Sequence, residues 1–364
     1  MDTTRRRMVL EAAALAASAA VVGTGCATRR FSGNATAASE WVSGLPGPAR
    51  VEPAAWADAM AAAGAVAGLR SLLVVQDGVL VGERYQGGAD AQQLQPINSA
   101  TKSVVSLLVG QALQQGRIAS LDEPLHRLLP GERTAASPVA DVTLGQILRG
   151  HSGQRYDWAT QGPELAGAAD PVAYALHLPR DPAQPPAWRY NDAAVGLLAP
   201  ILRQAQGLDL AALAQRDLFE PLGIVEHAWR RDRLGQPTAY GGLALRCRDL
   251  LKLAWLAANG GRWRGAQVVP EAWIAASTRP HAPASWGVAP IADVGYGYLW
   301  FTGRLHGHKV AWGWGYGGQF ALTVPALRLA VATAATSPPP AQLRAQTGAV
   351  MAVVARLVRL AGAA

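Results

Sequence analysis

Ser99 and Lys102 stand three residues apart in Pro96-Ile97-Asn98-Ser99-Ala100-Thr101-Lys102-Ser103. Behind them Val104, Val105, Leu107, Leu108 and Leu113 recur at helical spacing, and Gly116 can end the helix. Residues i and i+3 of a helix share a face, so the spacing predicts hydroxyl and amine side by side on the first turn. A serine hydroxyl is a weak nucleophile until a base takes its proton, and a desolvated lysine can be that base or assist a second one. The same pair also fits a helix-terminal serine next to a solvated lysine.

A second group is Trp188-Arg189-Tyr190-Asn191-Asp192, which follows Pro185-Pro186 and precedes an apolar helix. A loop entering a helix can present a side chain in a cleft from a rigid base. A tyrosine hydroxyl near a lysine ammonium has its phenolate favoured, and could accept the serine proton and pass it to a leaving group. The plainer reading is that the Tyr190 ring packs and that Asn191 or Asp192 caps the helix. The third group is Gly313-Trp314-Gly315-Tyr316-Gly317-Gly318-Gln319, between two strand-like runs. Glycines at a strand edge allow close approach of a substrate and leave N–H groups to face an oxyanion; a tight glycine turn would look the same. No Gly-Lys-Ser/Thr follows, so this is not a phosphate loop.

Two rival sites are weaker. Gly150-His151-Ser152-Gly153-Gln154 nearly matches a nucleophile elbow, but a capped helix precedes it where a strand is required, and Gln154 replaces the last glycine. His306 and His308 have strand spacing for a metal pair, with no third ligand near in sequence. Trp158, Trp188, Trp312 and Trp314 are expected to wall the cleft, and Trp255, Trp263, Trp273 and Trp286 to pack in the core and hairpins.

The elements that must position these groups can be traced along the chain. A helix is expected over 53–67, then a hairpin around Asp77-Gly78. Thr143-Leu144-Gly145-Gln146 forms a capping box, and 193–205 reads as one helix. After Tyr240 strands return: 241–245 leads to a helix over 249–258, then come a short hairpin over 263–269, a helix begun by Pro270, strands over 296–302, 309–314, 319–324 and 327–332, and a last helix over 343–360. Strands at both ends with helices between predict one sheet built from 51–120 and 234–364, with 121–233 inserted as a helical domain.

Of 364 residues half are apolar, enough for a large core. Only Lys102, Lys252 and Lys309 are lysines, so arginine carries most of the +8 charge, scattered without the aromatic interleaving of a nucleic-acid groove. No nucleic-acid partner is expected. Arg5-Arg6-Arg7 before the short apolar stretch 12–22 reads as an export signal over 1–26, of twin-arginine or lipoprotein type, with Cys26 as the acylated residue and 27–50 as a flexible tether. Location in the periplasm or at a membrane through that lipid follows. Cys247 is expected in a strand-like run as a buried thiol without a partner.

Taken together over residues 70 to 335, the three groups resemble the serine hydrolases related to class C β-lactamases and penicillin-binding proteins, especially the branch with 6-aminohexanoate-dimer hydrolase and related esterases. The Ser-x-x-Lys of that family falls on Ser99 and Lys102. Its Tyr-x-Asn falls on Tyr190 and Asp192, with aspartate for asparagine, and its Lys/His-Thr/Ser-Gly on Gly315-Tyr316-Gly317, with no cation at the first position. Further stretches fit the branch: 147–153, 221–224, 259–263 and 315–319 leading to Pro325. The resemblance implies an α+β, β-lactamase/transpeptidase-like fold, an antiparallel sheet flanked by helices with an inserted all-helical domain. It implies an acyl-enzyme on Ser99, proton transfer by Lys102 and Tyr190, an oxyanion held by the N–H groups of Ser99 and Gly318, and substrate contacts from Tyr316, Gly317 and Asp192. No metal or cofactor is implied. The missing cation points to an ester or small amide substrate, the alternatives being a penicillin-binding protein, D-alanyl peptidase or β-lactamase, and a non-catalytic scaffold or sensor.

Overall fold

The computed structural model describes residues 29–31, 41–44, 51–181 and 186–363. The expected export signal, the acylation site Cys26 and most of the tether lie outside the described residues.

Hydrophobic runs with strand spacing build a nine-stranded sheet. In chain order its strands are β1 (Val42–Ser43), β2 (Leu69–Gln76), β3 (Val79–Tyr85), β4 (Ala282–Pro283), β5 (Ala292–Tyr296), β6 (Phe301–Leu305), β7 (His308–Gly315), β8 (Gln319–Val324) and β9 (Leu329–Ala335). They lie in the order β4-β5-β6-β7-β8-β9-β2-β3-β1. The β2–β3 hairpin turns at Asp77-Gly78, both with positive φ, as Asp-Gly hairpins require. β2 then pairs antiparallel with β9, Val74 opposite Val331, which joins the two ends of the chain at the sheet centre. β9 is buried along its whole length, and β2 is buried except at Arg70. All pairings are antiparallel except β1 with β3, so the sheet is mixed at one edge.

Helices cover both faces, since a sheet this apolar must be shielded on each side. α1 (Pro53–Ala62) packs with the terminal helix α8 (Pro340–Gly362), which also contacts β9. Against β2, β8 and β9 lies α7 (Cys247–Ala258), while α2 (Thr101–Gln114) packs on β7. Residues Thr101 to Ala112 of α2 are all buried. Each valine or leucine so placed is worth about 1.5–3 kcal/mol, so the helix behind Ser99 is held by packing on every side. Between α2 and α7 come mainly helices, among them α3 (Leu144–Leu148), α4 (Trp158–Gly167), α5 (Asp192–Gly196) and α6 (Leu198–Gln206). Thr143 and Gln146 form the expected capping box at the start of α3.

Several elements differ from the sequence expectation. The helix read over 53–67 stops at Ala62 and continues only as a 3₁₀ turn. The stretch 193–205 is two helices meeting at Leu197. The strand read over 296–302 is a turn joining β5 to β6; Leu299 has φ 64°, outside strand geometry. Cys247 opens α7 rather than lying in a strand, and it is buried and free. Pro270 caps its helix from outside, at the position before Glu271–Ser277.

Candidate active site

Ser99 lies in the 3₁₀ turn Asn98–Ala100, ahead of α2 rather than on its first turn. The turn runs straight into α2, so Ser99 and Lys102, three residues apart, lie on one side of the helix start. The turn is tied down from several sides. Ile97 N–H donates to the Leu243 carbonyl at 2.9 Å, and Thr101 Oγ1 donates to the Asn98 carbonyl at 2.7 Å. Asn98 holds φ 49°, a left-handed conformation that asparagine tolerates, and its amide donates to the Tyr316 carbonyl at 2.9 Å. One turn into α2, Ser103 and Ser106 donate to the carbonyls of Leu299 and Tyr298 at 2.9 and 2.6 Å. The nucleophile candidate is thus part-exposed on a fixed base.

Lys102 is only 2% exposed. Its Nζ lies 2.7 Å from Asp192 Oδ1, donates to the Tyr240 carbonyl at 2.7 Å, and sits 4.6 Å from the centre of the Tyr190 ring. Asp192 Oδ2 accepts from Trp158 Nε1 at 2.8 Å. The neighbouring Asn191 caps α5 by accepting from Ala194 N–H, which leaves the Asp192 carboxylate to the lysine. Asp192 therefore turns toward Lys102 and Trp158, with both oxygens engaged, rather than toward a substrate.

The Ser99 side chain is near enough to the Tyr190 hydroxyl to favour its ionised form. Its ring stacks on Trp286 with centroids 4.6 Å apart, and on Phe301 at 6.4 Å. Burial pushes the Tyr190 phenol well above its ordinary value, the Asp192 charge adds to this, and the Ser99 side chain opposes it. Tyr190 is thus a neutral phenol at rest. The expected phenolate is not favoured, because Lys102 lies over the ring face and Asp192 compensates its charge. Burial likewise pushes the Lys102 ammonium below the ordinary lysine value, and Asp192 opposes that shift.

The third group divides in two. β6 and β7 join through His306-Gly307, both with positive φ, and pair from Leu305–His308 to Phe301–Trp312. The closing pair of a two-residue hairpin exchanges hydrogen bonds, and the direction alternates along the strand. The N–H groups of His308, Val310 and Trp312 therefore face β6, and that of Trp314 points the same way, past the end of β6 at Phe301. Trp314 lies on the open edge, between Gly313, whose missing side chain would meet Ala100 and Ser103, and Gly315, which abuts Ile97. Ser99 belongs to that same turn. Beyond this edge the expected assignments change. The Gly318 N–H donates to the Gly315 carbonyl at 3.3 Å, so it is committed inside the turn and not to an oxyanion. Gly317 accepts from Gln346 at 2.9 Å, and the Tyr316 hydroxyl donates to the Pro338 carbonyl at 2.7 Å, away from Ser99.

Trp286, expected in the core, is half-buried over Tyr190; Trp158 and Trp188 stand edge-on to it at 6.2 and 6.3 Å. Trp312 is fully buried and walls nothing. His151 and Ser152 sit in a loop after α3, where buried Ser152 packs near Gln154 and Asn191. His306 occupies the β6–β7 turn, so it does not share a strand face with His308, and no group of three metal-ligating side chains occurs among the described residues. A cleft of about 400 Å³ elsewhere is lined in part by Tyr240 but by none of Ser99, Lys102 and Tyr190.

Sequence reasoning placed Trp158 at the cleft but not its hold on Asp192, and it missed Trp286 and Tyr240 as parts of the site. Trp286 lies nearly a hundred residues from Tyr190 with no motif around it, and Tyr240 acts through its carbonyl, which residue type does not reveal.

Solved structures share this architecture. The chain is similar to a 6-aminohexanoate-dimer hydrolase candidate from Bacillus anthracis (16% identity, 92% of each chain covered, TM-score 0.73). It is also similar to the octameric penicillin-binding protein homologue from Pyrococcus abyssi (20% identity, 81% of this chain and 75% of that chain, TM-score 0.63). A third similar structure is EstCE1, a hydrolase with promiscuous acyltransferase activity (15% identity, 81% and 99% covered, TM-score 0.60). No curated protein sequence matches the chain. The Beta-lactamase family model matches residues 53–356, and with the fold and the site in place the chain belongs to the Beta-lactamase family, whose members are hydrolases.

Proposed function

We propose that the protein is a serine hydrolase that opens an ester or small amide through an acyl-enzyme on Ser99. The observation that carries this reading is the buried Lys102, whose Nζ lies 4.6 Å from the centre of the Tyr190 ring, beside a tyrosine whose hydroxyl is under the influence of the Ser99 side chain. Ser99 Oγ attacks the carbonyl carbon as its proton passes to Tyr190 Oη and the phenol proton moves on to Lys102 Nζ. The carbonyl π electrons collect on oxygen, where the N–H groups of Ser99 and Trp314 stabilise them; one such donor is worth roughly 10²–10³ in rate. The proton then returns through Tyr190 to the leaving group, and water releases the acyl group by the reverse route.

The substrate reading rests on charge and shape. The Lys102 charge is compensated by Asp192, Gly315 brings no cation, and Trp286 stacks on Tyr190 with Trp188 edge-on to it. Such a site suits an uncharged acyl group better than a carboxylate-bearing β-lactam or peptide. Steady-state hydrolysis of a short p-nitrophenyl ester and of a cephalosporin tests this. Faster turnover of the ester is expected; rapid cephalosporin turnover without ester turnover overturns the substrate class, and a stoichiometric burst without turnover points to a penicillin-binding role. We further propose that the enzyme is exported and held by lipid on Cys26, as Arg5-Arg6-Arg7 and the 12–22 stretch suggest. Intact mass of the membrane fraction tests it: a mature chain that begins elsewhere, without a lipid increment, removes this proposal.

A further inference from the structure

Asp192 stands where the family resemblance has a neutral asparagine, and its carboxylate faces the lysine at 2.7 Å. Every group around the Lys102 nitrogen suits an ammonium: the Asp192 carboxylate, the Tyr240 carbonyl at 2.7 Å and the face of the Tyr190 ring at 4.6 Å. None of them donates to a lone pair. The carboxylate is fixed in turn by Trp158 Nε1 at 2.8 Å, from the first residue of α4. We propose that Asp192 is a positioning residue that holds Lys102 as an ammonium in the resting enzyme and thereby decides when Lys102 is free to act as base.

The other groups facing the pair do not supply such a charge. Tyr190, Tyr156, Tyr240 and Tyr296 surround it as phenols, all pushed up chiefly by burial, Tyr240 to about 12, and so remain neutral over the working range. Exposed Arg189 lines a small cavity together with Lys102, Tyr190 and Tyr296, and donates to the Tyr156 carbonyl. Asp192 is thus the anion in contact with Lys102.

The consequence is a trade. The transfer needs neutral Lys102: the Ser99 proton goes to Tyr190, the Tyr190 proton goes to the Lys102 lone pair, and the Ser99 Oγ–carbon bond forms as the carbonyl π bond opens. Asp192 stabilises the ammonium that results, which makes Lys102 a stronger base, but it also keeps the resting lysine protonated to higher pH. Activity therefore rises with pH along a limb set by the pair.

This inference rests on the serine-hydrolase reading above, and its test is separable from it. Only three lysines are present, so ζ-¹⁵N-lysine NMR can follow Lys102 directly, assigned with Lys252→Arg and Lys309→Arg. The expected result is an ammonium at pH 7 that loses its proton below the ordinary lysine range. In Asp192→Asn the midpoint falls by at least one unit, the ascending limb of kcat/KM for a p-nitrophenyl ester falls with it, and the alkaline plateau drops about tenfold. Asp192→Glu keeps the limb where the wild type has it. A neutral Lys102 amine at pH 7 in the wild type overturns the proposal, even if no variant folds, and so does an unmoved midpoint in Asp192→Asn. Absence of ester turnover in the wild type would defeat the hydrolase reading while leaving the titration decisive for the pair.

Discussion

A Cβ on Gly315 would stand 2.3 Å from the carbonyl oxygen of Ile97, two residues before Ser99. Strand β7 and the turn that carries the nucleophile are therefore in backbone contact, and no side chain fits between them. This explains in physical terms why the position where the resemblance expects lysine or histidine holds neither: at this separation the site has room only for glycine. Gly315→Ala is expected to push β7 away from Ser99, costing about 1–3 kcal/mol of stability and at least tenfold in kcat/KM. Urea midpoints with ester kinetics check this; wild-type values for both would show that the approach is not needed.

Tyr190→Phe removes the hydroxyl proposed to take the Ser99 proton and keeps the ring that stacks on Trp286 and Phe301. The expected loss in kcat is about 10²–10⁴, with the thermal midpoint little changed. A variant as active as the wild type would take Tyr190 out of the proton path.

Lys102 and Asp192 are 3% and 9% exposed at their side chains, so neither can be removed alone without leaving a buried charge. Asp192→Ala is expected to cost about 3–5 kcal/mol in urea unfolding, whereas Lys102→Met with Asp192→Leu is expected to restore wild-type stability or exceed it, with no activity. Equal destabilisation by the single and double variants would show that the pair is not energetically coupled.

Trp286→Ala uncovers the Tyr190 ring and removes an apolar wall. KM for esters with bulky apolar acyl groups is expected to rise several-fold while acetyl esters are little affected. A uniform fall in kcat for all esters would instead make Trp286 a support for Tyr190.

Much of this was legible in the sequence because it follows from local rules. The Asp77-Gly78 hairpin, the Thr143 capping box and the apolar face of α2 are written in spacing and residue type, and Ser99, Lys102 and Tyr190 come together as their order suggested. What was not legible depends on long-range backbone geometry. The direction of the Trp314 N–H follows from the register of β6 on β7, the commitment of Gly318 from a turn hydrogen bond, and the hold on Lys102 from a carbonyl 138 residues away. The meaning of Asp192 was hidden for another reason: beside a helix start, a carboxylate reads as a cap until Asn191 is seen to have taken that role.

The central claim is that Ser99 is acylated. Intact-mass measurement after treatment with a fluorophosphonate, with peptide mapping of the adduct, tests it most directly. A single adduct on Ser99 in the wild type and none in Ser99→Ala is the predicted result; an adduct that persists in Ser99→Ala, or a wild type that remains unmodified while fully folded, would contradict it.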